Sequence, residues 1–150
     1  MNHFTARVVC AAALALSTVG GFATSEALEP ARLTPDELQW VLMPNGNYRA
    51  NIGGDEKMSG MYVYRVRFPS GFKNQPHFHP DDRVVTVISG RLHVGYGDQV
   101  DEAKMKALTA GSIWTEPAKE PHFVSAQEGE VVIQVIGVGP SATVPVAPRQ

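Results

Sequence analysis

The sequence has a single cysteine, Cys10, among its 150 residues. One cysteine excludes an internal disulfide framework and a zinc site built from cysteines. An excess of charge of one sign is also missing, because 13 Lys and Arg stand against 15 Asp and Glu, a formal net charge of -2. This balance excludes the strongly basic surface that a nucleic-acid-binding protein presents.

Repetitive tracts and long hydrophobic runs are lacking as well. With 14 Gly and 11 Pro the chain has ordinary numbers of both, which argues against a collagen-like or disordered protein. Apolar residues make up 43% of the sequence, enough to form a core. We therefore expect one soluble globular domain.

The first residues are typical of a secretory signal peptide. Arg7 is the only charged side chain before Glu26, and it precedes a short apolar run at residues 8–16 and then small residues. The run is shorter than the ~20 residues that span a bilayer, so we expect no stable membrane anchor. Residues 1–23 are the predicted signal peptide, with cleavage as late as residue 27 as the alternative.

Export would change the composition of the mature chain. Cleavage after Ala23 removes Cys10 and Arg7 and leaves 127 residues with 12 Lys and Arg against 15 Asp and Glu, a net charge of -3. A chain without cysteine folds in an oxidising compartment without mispaired thiols, which fits a periplasmic or secreted protein.

The mature chain is predicted to be all-β with one short helix. Thr34 and Glu37 have the spacing of a capping box, with Pro35 between them at the first helical position, and the turn residues from Pro44 onward end the helix. Short apolar segments separated by turn residues then suggest a sandwich or barrel. We expect an N-terminal extension with this helix and a strand at 24–59, a barrel core at 60–138, and an extended C-terminal tail at 139–150.

Three histidines carry most of the chemical information. His77 and His79 are two residues apart, so on a strand their side chains would project from the same face. A barrel brings distant strands together, so His122 can supply a third imidazole. Three imidazoles that converge on one point can bind a divalent transition metal.

These residues resemble the motifs of the cupins, which are small jelly-roll β-barrels. The first cupin motif, G-x5-H-x-H-x3,4-E-x6-G, is matched at its glycines and histidines, and the second, G-x5-P-x-G-x2-H-x3-N, at its first glycine, proline and histidine. The matching positions are Gly71, His77, His79 and Gly90, then Gly111, Pro117 and His122. More narrowly, the chain is similar to exported bacterial single-domain cupins. The resemblance implies a cupin barrel, a metal site at His77, His79 and His122, and a homodimer.

The match to the cupin motifs is incomplete. Arg83 and Val84 stand where the motif has its glutamate ligand, Lys119 replaces a glycine, and Ala126 replaces the asparagine. The carboxylate ligand is therefore missing or has moved.

Several interpretations of the altered position remain open. The three histidines could hold the metal alone, with water or substrate completing the coordination, or Asp82 could be a fourth ligand. Arg83 could point inward and bind an anionic substrate beside the metal, since an arginine facing a bare dication would be repelled. Arg83 could equally face outward and pair with Asp81 or Asp82.

Three further polar residues are candidates for substrate contacts or a supporting shell around the metal. Glu116 and Glu120 border the third histidine and could act in general acid–base catalysis. Gln134 could reach the pocket, although an outward position is the simpler explanation. No catalytic residue follows from the sequence.

Nitrogen ligands suit Fe, Mn, Ni, Cu and Zn alike, so the metal is not identified. Three protein ligands leave coordination positions open, as a catalytic metal requires. The first hypothesis is a metal-dependent enzyme, a dioxygenase or an isomerase, that acts on a small anionic or enolisable substrate. The alternative is a non-catalytic periplasmic cupin that binds or senses a small molecule or a metal.

Overall fold

The computed structural model describes residues 28–147, so the predicted signal peptide lies outside the described residues. These residues form twelve β-strands in two antiparallel sheets. The strands are β1 (Val41–Leu42), β2 (Tyr48–Gly53), β3 (Gly60–Phe68), β4 (Phe72–Lys73), β5 (His77–Phe78), β6 (Arg83–Ser89), β7 (Arg91–Tyr96), β8 (Lys106–Thr109), β9 (Ile113–Glu116), β10 (His122–Ala126), β11 (Val131–Gly139) and β12 (Val144–Pro145). The all-β prediction is confirmed.

The predicted short N-terminal helix is not found, and a 3-10 turn takes its place. The capping interaction forms, because the Glu37 carboxylate accepts hydrogen bonds from the backbone N–H and the hydroxyl of Thr34, but the helical segment is a single 3-10 turn at Pro35–Glu37. A second 3-10 turn covers Glu102–Lys104, and residues 28–147 contain no α-helix. Within the same residues, no helix has the length and hydropathy needed to cross a membrane.

The first sheet has the order β1-β2-β3-β11-β6-β9, and the second has the order β12-β5-β10-β7-β8, with β4 also paired to β10. Each end of the described chain contributes to a sheet. β1 pairs with β2 at the edge of the first sheet, and β12 pairs with β5 at the edge of the second. Residues of the predicted tail thereby lie next to the histidine strand.

The core lies between the two sheets and follows the two-residue period of the strands. In β6 the buried positions are Arg83, Val85 and Val87, and the residues between them are more exposed. Val85, Val87 and Leu92 are almost completely inaccessible to solvent, and each such side chain contributes roughly 1.5–3 kcal/mol through burial. The same alternation places two charged residues, Arg83 and Glu116, on the inner face.

Two glycines are required by their backbone surroundings. Gly90 connects β6 in the first sheet to β7 in the second. Its φ of 80° is a backbone conformation that residues with a side chain rarely adopt. A Cβ atom at position 137 would collide with the ring and the hydroxyl of Tyr62, so this position requires glycine. The missing Cβ leaves room for the Tyr62 hydroxyl to donate a hydrogen bond to Asp81, which also faces Arg83.

Candidate metal centre

The three predicted histidines meet at one point of the second sheet. His77 in β5 and His122 at the start of β10 are direct cross-strand partners, and His79 follows β5 immediately. Their ring centroids are 4.5–5.1 Å apart, and one ligand nitrogen from each ring lies within 4.8 Å of the other two. The convergence predicted from the spacing is present in the fold.

Main-chain carbonyls fix the orientation of all three rings. Nδ1 of His77 lies 3.0 Å from the Gln75 oxygen, Nδ1 of His79 lies 2.8 Å from the Ala142 oxygen, and Nδ1 of His122 lies 3.2 Å from the Glu120 oxygen. A carbonyl oxygen can only accept, so Nδ1 must carry the proton in each case. In a neutral ring this leaves the Nε2 lone pair free, the arrangement found in histidines that ligate metals.

Burial keeps two of these rings neutral. It lowers the pKa of His79 to about 4, and the positive charge of Arg83 adds to the effect. Burial likewise lowers the pKa of His77. Both imidazoles are therefore uncharged near neutral pH and available to a cation.

Glu116, the last residue of β9, brings a carboxylate to the same point. Only 5% of the residue is exposed, with Oε1 3.4 Å from Nε2 of His122 and Oε2 3.5 Å from Nε2 of His79. Burial favours a raised pKa for Glu116, but hydrogen bonding to His122 and the electrostatic effect of the neighbouring groups, Arg83 among them, outweigh burial and lower the pKa. Oε2 is buried and has no hydrogen-bond partner.

Arg83 points inward and is held by protein groups. Its Nη1 donates to the Tyr64 hydroxyl at 3.0 Å and its Nη2 to the Ser141 hydroxyl at 2.6 Å. The guanidinium also lies 3.6 Å from Asp81 and 3.8 Å from Glu116. The prediction that Arg83 points inward is therefore confirmed. The alternative that it faces outward is wrong, although the pairing with Asp81 that belonged to this alternative does form.

Asp81 completes this charged group. It accepts hydrogen bonds from the hydroxyls of Tyr62 and Ser141 while facing Arg83. Tyr64, whose hydroxyl accepts the hydrogen bond from Arg83, adds no charge to this group, because burial raises its pKa to about 12 and the phenol stays protonated.

The other candidates lie elsewhere. Asp82 is exposed, and its carboxylate accepts a hydrogen bond from the Ala118 N–H at 2.7 Å instead of joining the histidines. The Glu120 side chain is exposed, and this residue supports His122 only through its carbonyl. Gln134 lies between the buried positions of β11 and accepts a hydrogen bond from Arg65 at 3.2 Å, on the face opposite the pocket.

The histidines, Arg83 and Glu116 line a pocket of about 330 Å³ between the sheets. The remaining lining is part polar and part apolar. The polar side chains are Asn45, Asn47, Asn74, Gln75, Thr143 and Tyr64, and the apolar ones are Val66, Phe68, Pro76, Trp114, Val124, Ile133, Val135 and Pro145. The volume fits a small molecule.

Sequence reasoning missed Tyr64 and Ser141 as neighbours of the site, and it named Asp81 only as a partner of an outward-facing Arg83. The alternation of Tyr62 and Tyr64 with Val66 and Phe68 in β3 was an available signal, because all four lie on the inner face. Ser141 and the Ala142 carbonyl gave no signal, since they reach the site only through the pairing of β12 with β5.

Comparisons with known proteins identify the fold and leave the activity open. A family model described as "Domain of unknown function (DUF4437)" matches residues 34–145. No curated protein sequence matches the chain.

Solved structures similar to the chain include cupins of different kinds. An RmlC-like cupin from Shewanella frigidimarina is 21% identical over 74% of this chain and 93% of its own, with a TM-score of 0.59. The polyketide cyclase RemF from Streptomyces resistomycificus is 12% identical over 81% of this chain and 89% of its own, with a TM-score of 0.67. A sugar phosphate isomerase of the cupin superfamily from Silicibacter pomeroyi is 20% identical over 73% of this chain and 76% of its own, with a TM-score of 0.55. The fold is the cupin fold.

Proposed function

Because the chain belongs to the DUF4437 family, a domain family of unknown function, we propose its activity from the pocket itself. We propose an exported metal-binding cupin that is a metal-dependent enzyme, oxygenase-like, acting on a small enolisable or anionic substrate. The observation that carries the proposal is the set of three histidines whose Nδ1 atoms donate to carbonyls and whose rings each bring one ligand nitrogen within 4.8 Å of the others in a pocket.

The ligand chemistry supports a divalent transition metal. Imidazole nitrogens suit Fe, Mn, Ni, Cu and Zn, and three of them leave coordination positions for substrate or water. When bound, such an ion would supply Lewis-acid chemistry, or redox chemistry if it is Fe, Mn, Ni or Cu.

The charges around the pocket favour a singly charged substrate. With neutral histidines, Arg83 contributes +1 and Asp81 and Glu116 contribute -1 each, a local net charge of -1. A dication would change this to +1, which stabilises one negative charge such as that of an enolate. The hydroxyls and Asp81 that already hold Arg83 reduce its availability for a second, external anion.

Oxygen consumption tests the enzymatic proposal. The purified protein is loaded separately with Fe²⁺, Mn²⁺, Ni²⁺, Cu²⁺ and Zn²⁺ and mixed with a panel of diketones, flavonols and thiols in an oxygen electrode. We expect uptake with at least one pair of metal and substrate, and its loss in His122→Ala. A protein that binds metal fully and is silent across the panel would support the alternative, a non-catalytic binding or sensor cupin.

We also propose export to the periplasm or the medium, on the pattern of residues 1–23. The intact mass of protein recovered outside the cytoplasm should correspond to a chain that begins at Thr24 or Leu28. Recovery of the full 150-residue chain in the cytoplasm alone would contradict this.

A further inference from the structure

The residue at the altered motif position lies directly across from a buried acid. Arg83 in β6 and Glu116 in β9 are cross-strand partners in the first sheet, and both side chains point inward. The cupin motif places its glutamate ligand at position 83 or 84, on β6. In this chain β6 carries Arg83 at that position, and the carboxylate is Glu116 on β9, the neighbouring strand. A carboxylate therefore still reaches the pocket.

We propose that Glu116 is the carboxylate ligand of the metal, from β9, and that Arg83 holds this carboxylate in position. The inference rests on the proposed metal binding. It replaces Asp82, the fourth ligand considered from the sequence, and it gives Glu116 a role other than acid–base catalysis.

The distances from Glu116 to two of the three histidines are compatible with a shared ion. Bonds of about 2.0–2.2 Å from a metal to nitrogen and oxygen place neighbouring ligand atoms of a tetrahedral site about 3.4 Å apart. Oε1 of Glu116 lies 3.4 Å from Nε2 of His122, and Oε2 lies 3.5 Å from Nε2 of His79. Both separations are longer than an ordinary N–H···O hydrogen bond of about 2.9 Å and close to that ligand spacing, so each oxygen is within reach of an ion bound to the neighbouring histidine.

The position of the His79 proton also favours an ion between His79 and Glu116. His79 donates its Nδ1 proton to Ala142, so its Nε2 lone pair faces the buried Oε2 of Glu116. A lone pair facing a carboxylate oxygen is repulsive unless a cation lies between them. Oε2 of Glu116 is buried and has no hydrogen-bond partner among the described residues. A buried carboxylate oxygen without a partner is costly, and a metal ion would satisfy it.

Arg83 lies too far from Glu116 to satisfy that oxygen. Its Nη1 is 3.8 Å from Oε2 and donates to Tyr64 instead. At this distance Arg83 lowers the cost of the buried carboxylate by charge and leaves Oε2 free to bind an ion.

The most direct test is a crystal structure of the protein loaded with Zn²⁺ or Co²⁺. We expect one Glu116 oxygen at about 2.0–2.2 Å from an ion that is also bound by His77, His79 and His122. An ion on the three histidines with both Glu116 oxygens beyond 3 Å would overturn the inference and leave the proposed metal binding intact. A wild-type protein that takes up no ion would overturn both.

Glu116→Gln gives a solution test, because it keeps the shape and removes the charge. We expect Zn²⁺ affinity, measured by chelator competition, to fall about tenfold or more. The visible absorption of the Co²⁺ form should also change in energy and intensity, which a carboxylate outside the coordination shell would not produce. The matched control is Glu128→Gln, an exposed acid paired with Arg91 on the surface, which should change neither. An unchanged Co²⁺ spectrum in folded Glu116→Gln protein would contradict the inference.

Discussion

Replacing Arg83 by methionine should destabilise the metal-free protein by about 3–5 kcal/mol. Arg83 is only 4% exposed, so its charge and hydrogen bonds act in a largely dry environment. Methionine keeps much of the volume but leaves Asp81 and Glu116 without their buried counter-charge. The two lost hydrogen bonds, to Tyr64 and Ser141, are each worth about 1.5–3 kcal/mol because the donor is charged, which gives a loss of the same size.

Urea denaturation in EDTA, followed by circular dichroism, measures this loss. The surface variant Arg91→Met is the control, because it removes an exposed ion pair with Glu128 and should cost less than about 1 kcal/mol. The same titration with saturating Zn²⁺ should show a smaller difference between Arg83→Met and wild type, because the ion supplies positive charge beside Glu116. A loss below about 1 kcal/mol in EDTA would refute the view that Arg83 neutralises two buried carboxylates.

Three further predictions concern the pH dependence of stability, a double variant that exchanges Arg83 and Glu116, and the oligomeric state. Burial lowers the pKa of His79 from 6.5 to about 4, so between these values the native state binds fewer protons than the unfolded state. The metal-free protein should therefore keep the full contribution of His79 above pH 6.5 and lose about 3 kcal/mol as the pH falls to about 4. Urea titrations across this range should show a shallower loss in His79→Gln, and equal slopes would contradict the assignment. The double variant Arg83→Glu/Glu116→Arg returns the acid to β6 and should bind Zn²⁺ within about tenfold of wild type, more tightly than Glu116→Gln. A folded double variant as weak as the single one would show that position 83 cannot supply the ligand. The homodimer remains a prediction from the family resemblance: light scattering should give twice the mass of one chain, and a single-chain mass would contradict it.

The sequence was sufficient for the fold class and for the three histidines because both depend on local patterns. Strand alternation repeats every two residues, and the spacing of His77, His79 and His122 relative to the glycines is a linear pattern. The capping interaction of Thr34 and Glu37 is equally local and forms as predicted. It did not produce an α-helix, since a single hydrogen-bonded turn does not offset the cost of helix nucleation, and the chain enters β1 at Val41.

The surroundings of the histidines depend on pairing between distant segments, which a single sequence does not specify. The Ala142 carbonyl that orients His79 is 63 residues away, and Ser141 is 58 residues from Arg83. Glu116 meets Arg83 only through the register of β6 and β9. The inward direction of Arg83, by contrast, has a local signal, because Arg83 is in phase with the apolar Val85 and Val87 on β6.

Isothermal titration of the metal-free protein with Zn²⁺, in the wild type and in His77→Ala and His122→Ala, tests the three-histidine site most directly. We expect one ion per wild-type chain and an affinity at least a hundredfold weaker in each variant, because each loses a nitrogen ligand. Equal stoichiometry and affinity in all three folded proteins would show that the ion, if bound, is held elsewhere.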